Sequence, residues 1–142
     1  MKAVYFVAAI AMLVGVPNGI RAAQAEIVTL KAELKGSNEV PPNNSPATGI
    51  AEAKFDTDSR LLSWSIIFSG MTGPAVAAHF HGPSEPSQNA GIVLPFKTVQ
   101  SPIAGSATLT EAQAADLLAG KWYANIHTAA HPGGELRGQM VK

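Results

Sequence analysis

The stretch RLLSWSIIFS, residues 60 to 69, alternates between large apolar and small polar side chains with a period of two residues. Its apolar positions are Leu62, Trp64, Ile66 and Phe68, and its small polar positions are Ser63, Ser65 and Ser69. Because successive side chains of an extended chain point to opposite faces, the pattern places all these apolar side chains on one face. Such a segment is typical of a half-buried strand in an antiparallel sheet. The stretch therefore predicts a β-fold with its core on one side of the sheet.

Further segments with strand character lie on both sides of this stretch, separated by Pro, Gly, Ser and Asn. They are TLKAEL, GIAEAKFD, AVAAHFH, GIVLPFK, IAGSATL, KWYANIHT and GELRGQMV. Only TEAQAADLLAG, residues 110 to 120, favours a helix, because Thr110 and Gln113 have the spacing of a capping box and Gly120 supplies a C-terminal stop. The sequence thus predicts an all-β antiparallel sandwich or barrel with one short helix.

The N-terminal residues, 1 to 25, have the features of a secretory signal peptide. Lys2 precedes an apolar run over residues 3 to 16, and Ala23 and Ala25 form a small-x-small pattern before an expected cleavage after Ala25. An uncleaved membrane anchor is the alternative, but the apolar run is shorter than the ~20 residues that a spanning helix needs. We therefore expect a periplasmic or secreted protein whose mature chain has no membrane span.

The expected mature chain, residues 26 to 142, has the length of one domain. It carries 8 basic and 10 acidic residues, and neither its lysines nor its phenylalanines form a basic or aromatic surface pattern, so nucleic acid is not expected as a partner. The full sequence contains no cysteine. Disulfides are therefore excluded, and stability must come from burial of a core, with a bound ion as an additional contribution.

All four histidines fall in two short segments, AAHFHGP (residues 77 to 83) and NIHTAAHPGGE (residues 125 to 135). Strand alternation places His79 and His81 on one face, opposite a face predicted to be buried that comprises Val76, Ala78 and Phe80. In KWYANIHT the same rule points His127 outward together with Tyr123 and Asn125, whereas Trp122, Ala124 and Ile126 point inward. If these two strands are neighbours, three imidazoles meet. His131 follows in a Pro-Gly-Gly loop that either folds it back as a fourth ligand or leaves it in solvent.

A cluster of neutral imidazoles without a thiolate is a ligand set for copper(II) or zinc, and in an exported protein it favours copper. The alternative is that the histidines are solvated or hydrogen-bonded side chains of a strand surface. Motifs for catalysis are not recognisable: the chain has no G-x-S-x-G sequence, no cysteine nucleophile and no identifiable pair of glycosidase carboxylates. We therefore expect a binding protein and assign no catalytic residue.

Three motifs carry a resemblance to a known family. GSNEVPP (residues 36 to 42), AHFHGP (78 to 83) and NIHTAAHPGGELRGQ (125 to 139) resemble the signatures of the CHRD domain, first described in chordin and common in bacterial exported proteins. The resemblance extends over about residues 28 to 141. It implies an immunoglobulin-like or superoxide-dismutase-like β-sandwich for the domain at residues 26 to 142.

The H-x-H pair is also similar to the copper-binding strand of copper/zinc superoxide dismutases, although this chain lacks their cysteine pair and a recognisable zinc site. The leading functional prediction is copper binding, storage or delivery through His79, His81, His127 and His131, with zinc as the other candidate metal. Two alternatives stay open, namely an extracellular module that binds another exported protein and has structural histidines, and a copper-only dismutase.

Other residues of the three motifs have structural interpretations. Glu39 and Arg137 are expected to form an ion pair between the N-terminal loop and the last strand. Alternatively, Glu39 or Glu135 accepts the free ring N–H of a ligand histidine. We expect Tyr123, which shares a face with His127, to be a surface aromatic residue.

Overall fold

The structure is a computed structural model that describes residues 25 to 142. The predicted signal peptide at residues 1 to 25 therefore lies, except for Ala25, outside the described residues. Within residues 25 to 142, no helix is long and apolar enough to cross a membrane.

The described residues form one curled sheet of eight antiparallel strands and one α-helix, which confirms the predicted all-β class with one short helix. The strands are β1 (Ile27–Lys35), β2 (Thr48–Asp56), β3 (Leu61–Ser69), β4 (Ala75–His81), β5 (Ile92–Pro95), β6 (Ile103–Thr108), β7 (Tyr123–Thr128) and β8 (Leu136–Gln139). The helix α1 spans Glu111–Leu118 and a 3-10 turn spans Gly36–Asn38. The strand order in the sheet is β5-β4-β7-β8-β1-β2-β3-β6.

Strand β3 has the two faces that its alternating sequence predicts. Leu62, Trp64 and Ile66 are buried, whereas the serines between them are exposed. Its neighbours are β2, which pairs with residues 62 to 69, and β6, which pairs with residues 61 to 66.

The two halves of the curled sheet face each other across an aromatic core. Trp64 of β3 packs edge-on against Phe80 of β4, with ring centroids 5.5 Å apart, and its ring also contacts Phe96 at 5.4 Å. Strands β3 and β4 are well separated in the strand order, so these contacts close the sheet upon itself in a sandwich-like arrangement. Trp122 is fully buried and lies against the same Phe80, as expected for a core residue.

Helix α1 begins where the sequence predicts. The Thr110 hydroxyl accepts the Gln113 backbone N–H at 3.2 Å, and the Gln113 side-chain oxygen accepts the Thr110 backbone N–H at 2.9 Å. Both halves of the capping box are therefore formed. Gly120, just beyond the helix, has a φ of 73°, a conformation that glycine adopts without steric cost.

Strand β4 departs from the predicted alternation at its start. Ala78 and Phe80 are buried as expected, but Val76 is 60 % exposed, so its assignment to the core face was wrong. The pairing with β7 skips one residue between Ala75 and Ala77, which makes Val76 the extra residue of a β-bulge. A bulge resets the alternation, because two residues of one strand then oppose one residue of the other.

Candidate metal centre

Strands β4 and β7 are neighbours in the sheet, which is the condition under which the sequence brings the histidines together. His79 is paired with Asn125, and His127 is paired with Ala77, two residues before His79. His79, His81 and His127 consequently lie on one face, and each offers a ring nitrogen within 4.8 Å of those of the other two. Among residues 25 to 142, this trio has a geometry suited to holding one ion.

The closest nitrogens of the cluster have the spacing of two ligands on one ion. His79 Nδ1 and His127 Nε2 are 3.3 Å apart. Two nitrogens that each bind a tetrahedral ion at about 2.0–2.1 Å are separated by roughly 3.3–3.4 Å. The pair therefore fits a common metal ion without a movement of the strands.

The other ring nitrogens of two histidines are fixed by backbone carbonyls. His81 Nδ1 donates to the Ala90 carbonyl at 3.0 Å, and His127 Nδ1 donates to the Pro132 carbonyl at 3.0 Å. Because a carbonyl oxygen only accepts, each Nδ1 carries the proton and each Nε2 presents its lone pair to the cluster. Such outer hydrogen bonds are the usual way in which proteins orient imidazole ligands.

Within the part of the chain that the structure describes, the lone pair of His81 Nε2 has no hydrogen-bond donor. His81 is 9 % exposed, and its Nε2 is buried without a hydrogen-bond partner within residues 25 to 142. An unsatisfied buried acceptor costs about 1–3 kcal/mol. A metal ion at the cluster would occupy this lone pair, so the donor set fits such an ion.

Burial keeps two of the imidazoles neutral. Removal from water lowers the pKa of His79 and of His81, and the neighbouring His127 ring lowers both further. Neutral imidazoles are the form that binds a metal ion. These two imidazoles therefore favour their ligating protonation state near neutral pH.

Tyr123 is buried beside the cluster, so the expectation of a surface aromatic residue was wrong. Its ring stacks on His81, and the Arg137 guanidinium lies 3.6 Å from the centre of the Tyr123 ring. The loop between β4 and β5 covers Tyr123, with which its Ala90 forms hydrogen bonds, and all six residues of β7 are buried. The Tyr123 hydroxyl accepts the Ala90 N–H at 3.1 Å and donates to the Ala90 carbonyl at 3.3 Å.

Arg137 holds the covering loop and does not pair with Glu39, so the expected ion pair was also wrong. Its guanidinium donates to the Asn89 side-chain oxygen at 3.0 Å and to the Gln88 carbonyl at 2.6 Å. The only hydrogen bond to the Glu39 carboxyl comes from the Asn125 amide, as far as residues 25 to 142 are concerned. Burial raises the pKa of Glu39 to about 7, although Asn125 and the charge of Arg137 act in the opposite direction.

Glu135 stabilises the surrounding loops and forms no hydrogen bond with the histidines of the cluster. Its carboxylate accepts the hydroxyls of Ser45, Thr72 and Thr128 at 2.6–2.8 Å and the Thr72 backbone N–H at 2.9 Å. Burial raises the pKa of Glu135, but these hydrogen bonds outweigh burial and lower it to about 2. The carboxylate therefore joins three segments of the chain. The role predicted for Glu39 or Glu135, accepting a ligand N–H, belongs instead to backbone carbonyls.

His131 lies outside the group of three. It is partly exposed and sits in a turn, where its N–H donates to the Thr128 carbonyl at 3.1 Å and its own carbonyl accepts the Gly134 N–H at 3.0 Å. The structure thus brings together three of the four predicted ligands, and a ligand role for His131 stays a prediction. The anchoring residues Ala90 and Pro132 carried no sequence signal, because every residue has a carbonyl group.

The comparisons with known proteins identify the domain. The family model of the CHRD domain matches residues 30–140, nearly the whole described chain. No curated protein and no solved structure matches the chain.

Proposed function

The chain belongs to the CHRD-domain family, and we propose that its domain binds one copper ion through His79, His81 and His127, for storage or delivery of the metal. One observation carries the proposal: each of the three histidines offers a ring nitrogen within 4.8 Å of those of the other two, and His81 Nε2 is buried without a partner among residues 25 to 142. If the role of His81 were purely structural, a hydrogen-bond donor would be expected opposite this acceptor nitrogen.

The choice of copper rests on the chemistry of the donors. The cluster offers three imidazole nitrogens and no thiolate or carboxylate. Imidazole suits both copper and zinc, and divalent copper stands above zinc in the general order of affinity. Zinc is the competing occupant, and His131 is the candidate for a fourth ligand.

The proposed place of action is the periplasm or the exterior of the cell. The N-terminal sequence supports it with a charged start, an apolar run and a small-x-small site at Ala23 and Ala25. Mass measurement of the exported protein tests this part, and a mature chain that begins at Glu26 is the expected result.

The test of the function is a metal titration. Purified metal-free protein should bind one equivalent of copper(II), and at a free concentration of 100 times Kd the ion should raise the free energy of unfolding by about 2.7 kcal/mol. The His79→Ala, His81→Ala double variant should lose this binding, whereas His131→Ala as the matched control should retain at least a three-ligand site. Full affinity in the double variant would refute the proposal and favour a protein-binding module with structural histidines.

A redox enzyme is the second candidate, and it is favoured by the partial exposure of His79. Three protein nitrogens leave an open position for substrate on a four-coordinate ion, which redox catalysis at a metal requires. An assay of superoxide consumption by the copper-loaded protein decides this candidate, because turnover no faster than that of the His79→Ala, His81→Ala variant excludes it.

A further inference from the structure

The three imidazoles of the proposed centre differ in what holds them in place. His81 and His127 are each tied at Nδ1 to a backbone carbonyl of a loop. His79 has no such tie: its Nδ1 faces the cluster, 3.3 Å from His127 Nε2, and its Nε2 makes no hydrogen bond within residues 25 to 142. The site therefore has two anchored rings and one ring that is held only by its neighbour.

This difference determines what a rotation of each ring would cost. An imidazole has two broad orientations about its Cβ–Cγ bond, related by roughly a half turn. A half turn of His81 or His127 breaks the bond to the carbonyl and leaves a polar group unpaired, and such a loss is unfavourable. A half turn of His79 moves Nδ1 out of the cluster and breaks only its contact with the bound ion or, without the ion, with His127.

Solvent exposure also separates His79 from the two anchored histidines. His81 and His127 are each 9 % exposed, whereas His79 is more exposed than either. His79 also lies next to the edge of the sheet, since β4 is followed only by the short strand β5 and the residue opposite His79 is Pro95. An incoming ligand therefore reaches the ion from the side of His79.

Building on the proposed function, we propose that His79 is the exchangeable ligand, and that the metal ion enters and leaves on its side of the site. His81 and His127 form a fixed two-nitrogen anchor. In transfer to an acceptor, a nitrogen, oxygen or sulfur donor of the acceptor forms a bond to the ion as the bond from His79 Nδ1 breaks. The ion keeps its charge, and the released imidazole stays neutral. The class of partner is thus a chelating ligand or protein that approaches with free donor atoms.

The experiment compares single variants of the purified protein loaded with one equivalent of copper(II). Nitrilotriacetate in excess removes the ion, and stopped-flow absorbance measures the rate. In the wild type, we expect the rate to rise with chelator concentration. His79→Ala should still bind copper, with an affinity less than about 100-fold below that of the wild type, and should release it faster. His81→Ala and His127→Ala should each lose more than about 100-fold in copper affinity, because loss of even an outer partner of a ligand lowers affinity by about 10–100-fold.

The outcomes separate this inference from the function on which it rests. Equal losses of affinity in the three single variants, or a wild-type transfer rate independent of chelator concentration, would overturn the role of His79 and leave copper binding intact. Failure of the wild type to bind copper would overturn the proposed function itself.

A second measurement does not depend on whether any variant folds. In nitrogen-detected NMR spectra of the metal-free wild type, His81 and His127 should be Nδ1–H tautomers whose ring protons exchange slowly with water. The ring proton of His79 should exchange faster than either. Equal protection of all three ring protons would overturn the inference.

Discussion

The ring of His81 stacks face to face on the ring of Tyr123, with centroids 4.9 Å apart and an angle of only 3° between the planes. The Ala90 peptide joins the same two residues by hydrogen bonds, since its carbonyl accepts from His81 Nδ1 and from the Tyr123 hydroxyl. Tyr123 therefore positions the loop that in turn orients the histidine. This relationship connects Tyr123 to the proposed metal centre, to which β7 also contributes His127, without a direct bond between Tyr123 and an ion.

Tyr123→Phe should lower copper affinity by about 10-fold while the fold is retained, because removal of an outer partner of a ligand typically has an effect of this size. The stack on His81 survives, and only the two hydrogen bonds to Ala90 are lost. Competition titration measures the affinity, and circular dichroism monitors the fold. Ser84→Ala is the matched control, because the Ser84 hydroxyl is buried without a partner within residues 25 to 142. Equal affinities of Tyr123→Phe and this control would contradict the positioning role.

Gly134→Ala should destabilise the protein by about 2 kcal/mol or more. Gly134 has a φ of 131°, and a Cβ atom there would lie 2.5 Å from both the Asn125 amide nitrogen and the Glu39 carboxyl oxygen. The adjacent Gly133→Ala is the control, because no described residue has an atom within 4 Å of its added Cβ. We expect that control to change stability by less than about 0.5 kcal/mol. Urea unfolding measures both variants, and similar losses at the two positions would refute the steric argument.

Acid should weaken the protein through Glu135. Its pKa is about 2 in the folded protein and near 4.5 in the unfolded chain. Because the folded value is the lower one, the unfolded chain binds more protons, and stability falls as the pH drops from about 5 toward 2. The full contribution is on the order of 3 kcal/mol. Glu135→Gln should therefore have a much lower free energy of unfolding than the wild type at pH 7, and this difference should become smaller in acid. Glu85→Gln, at an exposed position, should not show such a difference.

Glu39 should have the opposite pH dependence. Its pKa is raised to about 7 from 4.5, so the folded protein binds the proton more tightly than the unfolded chain. The favourable contribution is complete below about pH 4.5 and is lost as the pH rises toward 7. Glu39→Gln keeps an oxygen that accepts the Asn125 amide N–H, but it does not titrate. The free energy of unfolding of this variant, measured against that of the wild type, should therefore rise by on the order of 2 kcal/mol between pH 4 and pH 8. Unfolding curves at both pH values test this, and a constant difference would contradict it.

Local sequence determined the elements whose causes are local. The alternation of Leu62, Trp64 and Ile66 with serines specifies the two faces of β3 because neighbouring side chains of a strand always diverge. The capping box of Thr110 and Gln113 likewise specifies where α1 begins, since both hydrogen bonds form within four residues.

The shared face of the histidines was predictable in part for the same reason. Strand alternation placed His79 and His81 together, and it gave His127 the same outward direction. Alternation did not reveal that Val76 forms a bulge or that the outward face of β7 is covered, because both depend on how separate segments pair and pack.

By itself, the sequence therefore determined the class of fold, the helix start, the family and the three imidazoles that share one face. Only the tertiary structure decided what surrounds those imidazoles: the carbonyls of Ala90 and Pro132 that orient two rings, and the stack of Tyr123 and Arg137 behind one of them. The physical reason is that these contacts are made by backbone carbonyls, which every residue has, or by side chains that could bind several different partners. Their presence in the sequence therefore does not say which partner they meet. Which carbonyl or ring lies within reach depends on how the loops that follow β4 and β7 pack against these strands, and no local pattern encodes that packing.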